Sequence, residues 1–207
     1  GCTVVEVLVV LAIIGRLSTV LLRTLFKSAR EDTAEFTAKG FIKSVDASLE
    51  IYQRDRANGV FPPTSIENFP NAGRLPNRTN LGAEALYVCL SAPGFEHDRI
   101  LEKFQEQWSN TDNDSSTRKM TIYNGQDLFE VRDPWGNPYA YFNSPDYDRT
   151  DMRLYMVTND GSDEFEAVTV TPHTNSKTKS YFNLTTYQLF SAGPDRKFNT
   201  EDDIGNW

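Results

Sequence analysis

Residues 1–15 read GCTVVEVLVVLAIIG, and the apolar character continues through RLSTVLL at residues 16–22. An α-helix rises about 1.5 Å per residue, so roughly 20 apolar residues can cross the hydrocarbon core of a bilayer. Two charges, Glu6 and Arg16, interrupt the run, and each would cost about 2.5–3.5 kcal/mol at a bilayer centre. A charge kept in such surroundings is by default a functional group with a partner. The segment therefore predicts a transmembrane or filament-core helix in which both charges have a role.

The apolar segment does not match a removable signal. A secretory signal has a basic start, a short apolar stretch and a small-residue cleavage site. Here the start has no basic residue, no such site follows the run, and the helical pattern continues. A lipoprotein signal would place the apolar stretch before its cysteine, whereas this stretch follows Cys2. We therefore expect the segment to be part of the working protein.

The helical pattern continues well beyond the apolar run. No proline occurs from Leu22 to Ala57, and apolar residues recur at helical spacing on one face while charged residues fill the other. Asn58-Gly59 stops the pattern, and Pro62-Pro63 prevents its resumption. The sequence predicts one helix from residue 2 to about residue 57, apolar on all sides in its first half and amphipathic in its second. Copies of such a helix can bury their apolar surface against one another.

The N-terminal segment resembles the processing and assembly segment of type IV pilins and pseudopilins. The family pattern is glycine, an aromatic residue, threonine, two aliphatic residues and glutamate, then an aliphatic run ending in glycine, and Gly1 to Gly15 follow it except at Cys2. The resemblance implies that a prepilin peptidase cuts after Gly1 and methylates the new N-terminus at Cys2. It also implies that Glu6 neutralises the N-terminal amine of a neighbouring subunit. The implied partners are further copies of the chain, the prepilin peptidase, an inner-membrane assembly platform and minor pseudopilins.

Arg16 departs from the family pattern, which has an aliphatic residue at this position. One interpretation is that its long side chain reaches an interface or a solvent gap while its stem stays in apolar surroundings. The other is an ion pair between subunits, with Glu6 of a neighbour as the partner. The sequence leaves both open.

The remainder of the chain predicts a head of class α+β. Helical patterns come first, at residues 82–90 and 95–108, and strand candidates follow at residues 120–123, 129–132, 139–142, 153–158, 165–171 and 187–191. Turn signals such as Asp160-Gly161 separate the strand candidates. We expect a long N-terminal helix packed on a small antiparallel β-sheet head, with insertions and an acidic C-terminal loop.

Two segments of the head extend the resemblance to the major pseudopilins of type II secretion. Residues 133–139 read DPWGNPY, which is similar to a D-P-W-G-x-P turn of that family, and residues 191–207 resemble its acidic C-terminal loop. The resemblance implies that calcium binds in this loop. Residues 95–130 and 146–186 have no counterpart in the short members of the family, so they are predicted insertions that enlarge the head.

The chemistry of the C-terminal loop is compatible with calcium, which takes six to eight oxygen ligands. The predicted ligands are the carboxylates of Asp195, Asp202 and Asp203 with backbone carbonyls from Lys197 to Thr200, and Ser191 adds a nearby hydroxyl. Several carboxylates in one short loop repel one another when no cation is bound. The alternative is a solvated acidic tail that binds no metal.

Composition limits the remaining classes of function. The 207 residues carry a net charge of −8, which argues against nucleic acid as a partner because phosphate binding needs clustered Lys and Arg. The mean hydropathy of −0.51 excludes a polytopic membrane protein. His97 and His173 lie in no recognisable nucleophile or metal motif, so we expect no enzyme. Cys2 and Cys89 fall in the apolar helix and the head, so no internal disulfide is expected.

The chain divides into an apolar helix segment at residues 1–24, an amphipathic continuation at 25–58 and a head at 59–207. We expect a structural subunit that polymerises through its N-terminal helix into a helical filament, either a type II secretion pseudopilus or a related type IV-like pilus. The resemblance implies an inner-membrane location before assembly and a periplasmic or extracellular one afterwards. The alternative hypothesis is a single-pass, membrane-anchored domain that binds or senses a ligand.

Overall fold

A computed structural model describes residues 3–55, 59–69, 75, 77–94, 99–123, 125–159 and 162–207. Its N-terminal part is one helix, α1 (Val4–Asp55), of 52 residues. No proline interrupts this span, so the helix passes without a break from its apolar half into its charged half. Asn58 lies outside the described residues. Gly59 follows with φ of 90°, a backbone conformation that glycine adopts at little cost.

The head combines short helices with small antiparallel sheets. Among the described residues it has one α-helix, α2 (Leu81–Leu90), and three 3-10 helices, Ile100–Gln107, Ser144–Asp146 and Thr150–Met152. The strands are β1 (Trp108–Ser109), β2 (Glu130–Val131), β3 (Ala140–Asn143), β4 (Leu154–Val157), β5 (Glu166–Thr169), β6 (Tyr187–Ser191) and β7 (Ile204–Gly205). The sheets pair β1 with β2, β4 with β5, and β3, β6 and β7 in that order. The architecture is therefore mixed, with helices ahead of most strands in the chain.

The second half of α1 supplies one side of the main core of the head. Its buried apolar residues recur at helical spacing, and they are Ala38, Phe41, Ile42, Val45 and Leu49. Phe41 stacks on Tyr139 with ring centroids 4.1 Å apart, and the edge of Phe104 contacts the same phenylalanine at 4.8 Å. Because α1 fills this core, the helix and the head form one packing unit from Ala38 onward.

Helix α2 lies against β3 at very close range. A Cβ atom added at Gly82 would stand 1.9 Å from the backbone oxygen of Tyr141 and 2.5 Å from the hydroxyl of Tyr155. All ten residues of α2 are buried, including Glu84. Glycine at position 82 is therefore what allows the helix to approach the strand so closely.

Most of the predicted strands are present, and two predicted elements differ. The candidate at 187–191 coincides with β6, and the candidate at 153–158 contains β4. Residues 120–123 form no strand, because Tyr123 packs among aromatic side chains, 4.7 Å from Trp108 between ring centroids, and Ile122 donates its backbone N–H to Ser91. The helix predicted at 95–108 is a 3-10 helix over Ile100–Gln107, with residues 95–98 outside the described part.

A membrane-spanning role for residues 1–24 stays a prediction. Of the helices in the described part of the chain, none is long and apolar enough to cross a membrane.

Candidate functional site

The first part of α1 is exposed, and only its end, at Arg30 and Glu31, lies beside Pro134 and Pro194 of the head. Every side chain that the structure describes between Val4 and Thr33 is exposed, and the first buried residue of the helix is Ala38. At about 1.5 Å per residue this exposed rod extends about 45 Å. We call the part of α1 from Val4 to Thr33 the projecting helix.

The projecting helix exposes large apolar side chains on every side. Its exposed apolar residues are Val4, Val5, Val7, Leu8, Val9, Leu11, Ile13, Ile14, Leu17, Leu21, Leu22, Leu25 and Phe26, and their exposed fractions run from 47% at Val7 to 77% at Val4. Consecutive positions such as Val7, Leu8 and Val9 point in directions about 100° apart, so no single face carries the apolar surface. Together these side chains expose roughly 800–1,000 Å² of apolar area, whereas the largest apolar patch on a typical monomer is about 300–600 Å².

Hydroxyl groups on α1 are bonded within the helix itself. Thr19 donates to the backbone oxygen of Gly15 at 2.8 Å, and Thr33 donates to that of Ala29 at 2.8 Å. Each hydroxyl therefore has an acceptor before any neighbour arrives, which lowers the cost of covering this surface. A Cβ atom added at Gly15 would meet nothing within 4 Å, so the space beside this residue is open in the single chain.

The residues predicted to direct processing and assembly are only partly described. Gly1 and Cys2 lie outside the described residues, and so does the side chain of Glu6, although its backbone is helical. Arg16 is exposed on the projecting helix, and none of the ion pairs in the described part of the chain includes it. Its partner, whether solvent or a neighbouring subunit, stays a prediction.

A polar contact fixes α1 to the C-terminal end of the head. Asp46 Oδ1 accepts hydrogen bonds from the hydroxyl of Tyr187 at 2.7 Å and from Nδ2 of Asn206 at 3.4 Å. Burial raises the pKa of Asp46, and these two hydrogen bonds oppose the rise. The helix is therefore held by β6 and by the last residues of the chain, in addition to its apolar packing.

The DPWGNP turn is organised around Asp133. Asp133 Oδ1 accepts the backbone N–H groups of Trp135 and Asn137, each at 2.9 Å, and Oδ2 accepts the hydroxyl of Ser191 at 2.5 Å. Burial raises the pKa of Asp133 to about 6, against the lowering effect of these hydrogen bonds. The turn is thus tied to the end of β6, where the C-terminal loop begins.

Asn137 extends the same connection. Its Oδ1 accepts the backbone N–H of Thr158 at 2.7 Å, and its Nδ2 donates to the backbone oxygen of Arg196 at 3.1 Å. In the sequence, the turn and the loop are two separate segments, each resembling a motif of the same family. In the structure they form one unit, because Asp133 holds Ser191 and Asn137 holds Arg196.

The C-terminal loop is shaped by its own hydrogen bonds. Asp195 Oδ1 accepts the backbone N–H of Lys197 at 2.8 Å, and the hydroxyl of Thr200 donates to the backbone oxygen of Lys197 at 3.2 Å. A Cβ atom added at Gly193, where φ is 69°, would lie 2.0 Å from the backbone oxygen of Asp202. The loop therefore folds back tightly on itself, with Asp195 and Asp202 exposed.

Asp203 faces the interior instead of the loop surface. Its Oδ2 lies 2.6 Å from Nε2 of His173 and accepts the backbone N–H of Asn199 at 2.8 Å. Burial raises the pKa of Asp203, and the contact with His173 opposes the rise. This pair was not predicted from the sequence. Its only sequence signal was a histidine outside any enzyme motif.

The predicted calcium ligands do not all converge. Ser191 is bonded to Asp133, the carboxylate of Asp203 points to His173, and Asp195 and Asp202 remain exposed. Within the described part of the chain, these loop carboxylates form no group of three with oxygens close enough to share an ion. Oδ1 of Asp203 is buried and accepts no hydrogen bond from the residues that the structure describes. Calcium in this loop stays a prediction.

Comparisons with known proteins give limited similarity. No protein-family model matches the sequence, and no curated protein matches it significantly. Among solved structures, the chain is similar to the major pseudopilin from the type 2 secretion system of enterohaemorrhagic Escherichia coli. The two are 16% identical with a TM-score of 0.36, and the match covers 87% of each chain. Because both values are low, we base the functional proposal on the geometry of this chain.

Proposed function

We propose that the chain is a structural subunit that polymerises through its projecting helix into a helical filament. The observation that carries this proposal is the apolar surface of the projecting helix, which is exposed on all sides and which the head does not cover. Such a surface is stable in water only when something apolar packs on it. Further copies of the same helix have the required length and chemistry.

The exposed area is large enough to hold subunits together. Roughly 800–1,000 Å² per chain is close to the area that each partner buries in a stable protein interface, about 800 Å². At about 25 cal/mol per Å², covering it stabilises the assembly by about 20 kcal/mol before other terms. Association costs an estimated 4–15 kcal/mol in lost freedom, and each side chain that it orders adds about 0.5–1.5 kcal/mol, so the area permits a stable contact but does not set its affinity.

The shape of the subunit favours a filament over a closed pair. A rod that is apolar on all sides accepts neighbours around its whole circumference, and the larger head at one end favours parallel packing. When a contact between unlike surfaces does not close into a ring, it generates a helical filament. Glu6 and Arg16 are ten residues apart, or about 15 Å along the helix. A parallel neighbour shifted by that distance brings its Glu6 beside Arg16, which neutralises both charges inside the bundle.

The finer identity follows from the resemblance of the N-terminal segment. In this proposal the filament is a type II secretion pseudopilus or a related type IV-like pilus, and it is periplasmic or extracellular after assembly. A prepilin peptidase would process the chain between Gly1 and Cys2 and methylate the new N-terminus, and an assembly platform and minor pseudopilins would be its partners. The role is structural and not enzymatic.

The first experiment compares the full chain with a variant that begins at Thr33, which keeps the buried residues of α1 from Ala38 onward. Both are purified in a non-ionic detergent, the detergent is removed, and the products are examined by electron microscopy. We expect helical filaments from the full chain and dispersed particles from the shortened one. A full chain that stays dispersed would overturn the proposal.

The second experiment tests the charge pairing with three variants, Glu6→Arg, Arg16→Glu and the double exchange. If the two residues pair between subunits, each single variant loses filaments and the double exchange regains them. If Glu6 instead neutralises a neighbour's N-terminal amine, the double exchange stays defective. That result would replace the stagger of about 15 Å with the amine contact that the resemblance implies.

A further inference from the structure

A group of carboxylates lies inside the head, away from both α1 and the C-terminal loop. Glu84 comes from α2, Asp112 and Asp114 from the loop after β1, and Glu130 from β2. One carboxylate oxygen from each of Glu84, Asp112 and Glu130 lies within 4.8 Å of the others. Glu84 is 1% exposed, Glu130 is 0% and Asp114 is 7%. We call these four residues the carboxylate cluster.

Neutral donors bind only part of the cluster. Glu130 accepts Nδ2 of Asn80 at 2.9 Å and the backbone N–H of Thr111 at 3.1 Å. Nδ2 of Asn77 donates to Asp112 at 2.8 Å and to Asp114 at 3.2 Å. All of these donors are amides, so they neutralise none of the charge.

Three oxygens of the cluster are left without a donor. Oε1 of Glu84, Oδ1 of Asp112 and Oδ1 of Asp114 are buried and accept no hydrogen bond in the described part of the chain. A buried acceptor without a partner costs about 1–3 kcal/mol, and more when it is charged. Glu84 is the decisive residue, because its Oε1 is buried without a partner and its carboxylate lies close to those of Asp112 and Glu130.

The charges in the cluster are unbalanced. None of the ion pairs in the described part of the chain includes any of its four carboxylates. Burial, and then the charges of Asp114, Glu130 and Asp112, raise the pKa of Glu84 well above its ordinary value. Without a cation, the head keeps these groups together only at a cost in stability.

We propose that the carboxylate cluster binds a hard divalent cation, Ca²⁺, with Glu84, Asp112 and Glu130 as ligands and Asp114 as a further negative charge beside them. The donors are all oxygen atoms, which Ca²⁺ and Mg²⁺ prefer to the nitrogen and sulfur ligands of zinc. Oxygens on opposite sides of Ca²⁺ stand up to about 5 Å apart, and on opposite sides of Mg²⁺ about 4 Å. The three oxygens lie within 4.8 Å of one another, which allows either ion, and the buried site favours Ca²⁺ because Mg²⁺ gives up its water reluctantly.

Bound Ca²⁺ would connect α2, β2 and the loop after β1, and the last two of these segments contain little regular secondary structure. The loop from Asn110 to Asp114 has no strand or helix of its own, and β2 has only two residues. A cation held by this loop, α2 and β2 would fix the inserted part of the head. This site is separate from the calcium predicted at Asp195, Asp202 and Asp203, and it does not depend on filament formation.

The test measures Ca²⁺ binding to the full chain in non-ionic detergent after treatment with a chelator. Calorimetric titration is performed on the wild type, Glu84→Gln, Asp112→Asn, the double variant, and Asp202→Asn as the control in the C-terminal loop. We expect each cluster variant to bind one equivalent of Ca²⁺ fewer than the wild type, and the double variant to lose no more than either single variant. Asp202→Asn retains the equivalent that the cluster variants lose.

Thermal unfolding in the chelator separates loss of the site from loss of the fold. Glu84→Gln replaces a buried carboxyl group with a neutral amide of the same shape, so we expect its Tm without calcium to be at least that of the wild type, while the part of the Ca²⁺-dependent rise in Tm that the cluster supplies is lost. If Glu84→Gln binds as many equivalents as the wild type, or the wild type binds none, the proposal is overturned. An equal effect of Mg²⁺ at the same concentration would overturn the choice of ion.

Discussion

The substitution Leu11→Gln provides a quantitative test of how the projecting helix assembles. Leu11 is 59% exposed in the single chain. Fully burying a leucine stabilises by about 1.5–3 kcal/mol, so covering the exposed part of this side chain contributes about 1–2 kcal/mol per subunit. Glutamine loses most of that contribution and brings an amide whose burial without a partner costs about 1–3 kcal/mol. We expect each subunit to add to the filament about 3 kcal/mol less favourably.

A loss of about 3 kcal/mol corresponds to a rise of about 100-fold in the critical concentration for assembly, since 1.4 kcal/mol is tenfold. The assay removes detergent at a series of protein concentrations, sediments the filaments and measures the plateau of protein left in the supernatant. Leu184→Gln is the matched control, because Leu184 is 60% exposed but lies in the head. We expect its critical concentration to equal that of the wild type.

The comparison of the two variants decides the interpretation. Both make the same chemical change at the same exposure, so a general effect on solubility would shift them equally. Equal critical concentrations for Leu11→Gln and the wild type would refute the claim that the projecting helix is buried in the filament. An equal rise in both variants would refute the claim that this burial is confined to the helix.

Three further predictions concern the stability of the head, measured by urea unfolding in detergent. Gly82→Ala places a Cβ 1.9 Å from the backbone oxygen of Tyr141, and we expect it to lower the free energy of unfolding by about 1–3 kcal/mol. Gly40→Ala meets nothing within 4 Å, and we expect it to raise the free energy of unfolding by up to about 1 kcal/mol. Similar changes in the two variants would contradict the close packing of α2 on β3. Burial raises the pKa of Asp133 from 3.8 to about 6, so the folded state holds the proton more tightly and stability should increase as pH falls from 6 toward 4. Asp133→Asn should make the free energy of unfolding less dependent on pH between 4 and 6. An unchanged pH dependence would contradict the role given to Asp133. Because φ at Gly193 is 69°, we expect Gly193→Ala to lower the free energy of unfolding by more than about 1 kcal/mol and to make the C-terminal loop accessible to proteases. Unchanged protease resistance would contradict this prediction.

The sequence predicts the parts of the fold that depend on local pattern. The apolar run, the absence of proline and the spacing of Phe41, Val45 and Leu49 are properties of neighbouring residues, and they indicate the helix and its buried face. The strand at 187–191 is likewise a continuous run of strand-forming residues. By contrast, β1 and β2 have two residues each, so they exist only because the tertiary structure brings Trp108 beside Val131.

The carboxylate cluster shows a different limit. The pattern at residues 82–90 predicts a helix but does not show that all of α2 is buried. The signal was Glu84 itself, a single charge in the otherwise apolar run LGAEALYVCL. A helix with no exposed face cannot solvate such a residue, so it requires a partner. Its partners, which include Glu130, come from distant segments, and no local pattern identifies them.

The continuity of α1 has a mechanical consequence. A pulling force along the projecting helix reaches the head through side chains that slide past one another in parallel, from Phe41 to Leu49, together with the bonds of Asp46 to Tyr187 and Asn206. Contacts loaded in shear share the force, whereas contacts loaded at one end open one after another. The helix is also part of the core of the head, so it cannot be extracted without unfolding the domain. A head on this rod is therefore built to carry tension, and it should fail in a single cooperative rupture instead of by gradual detachment.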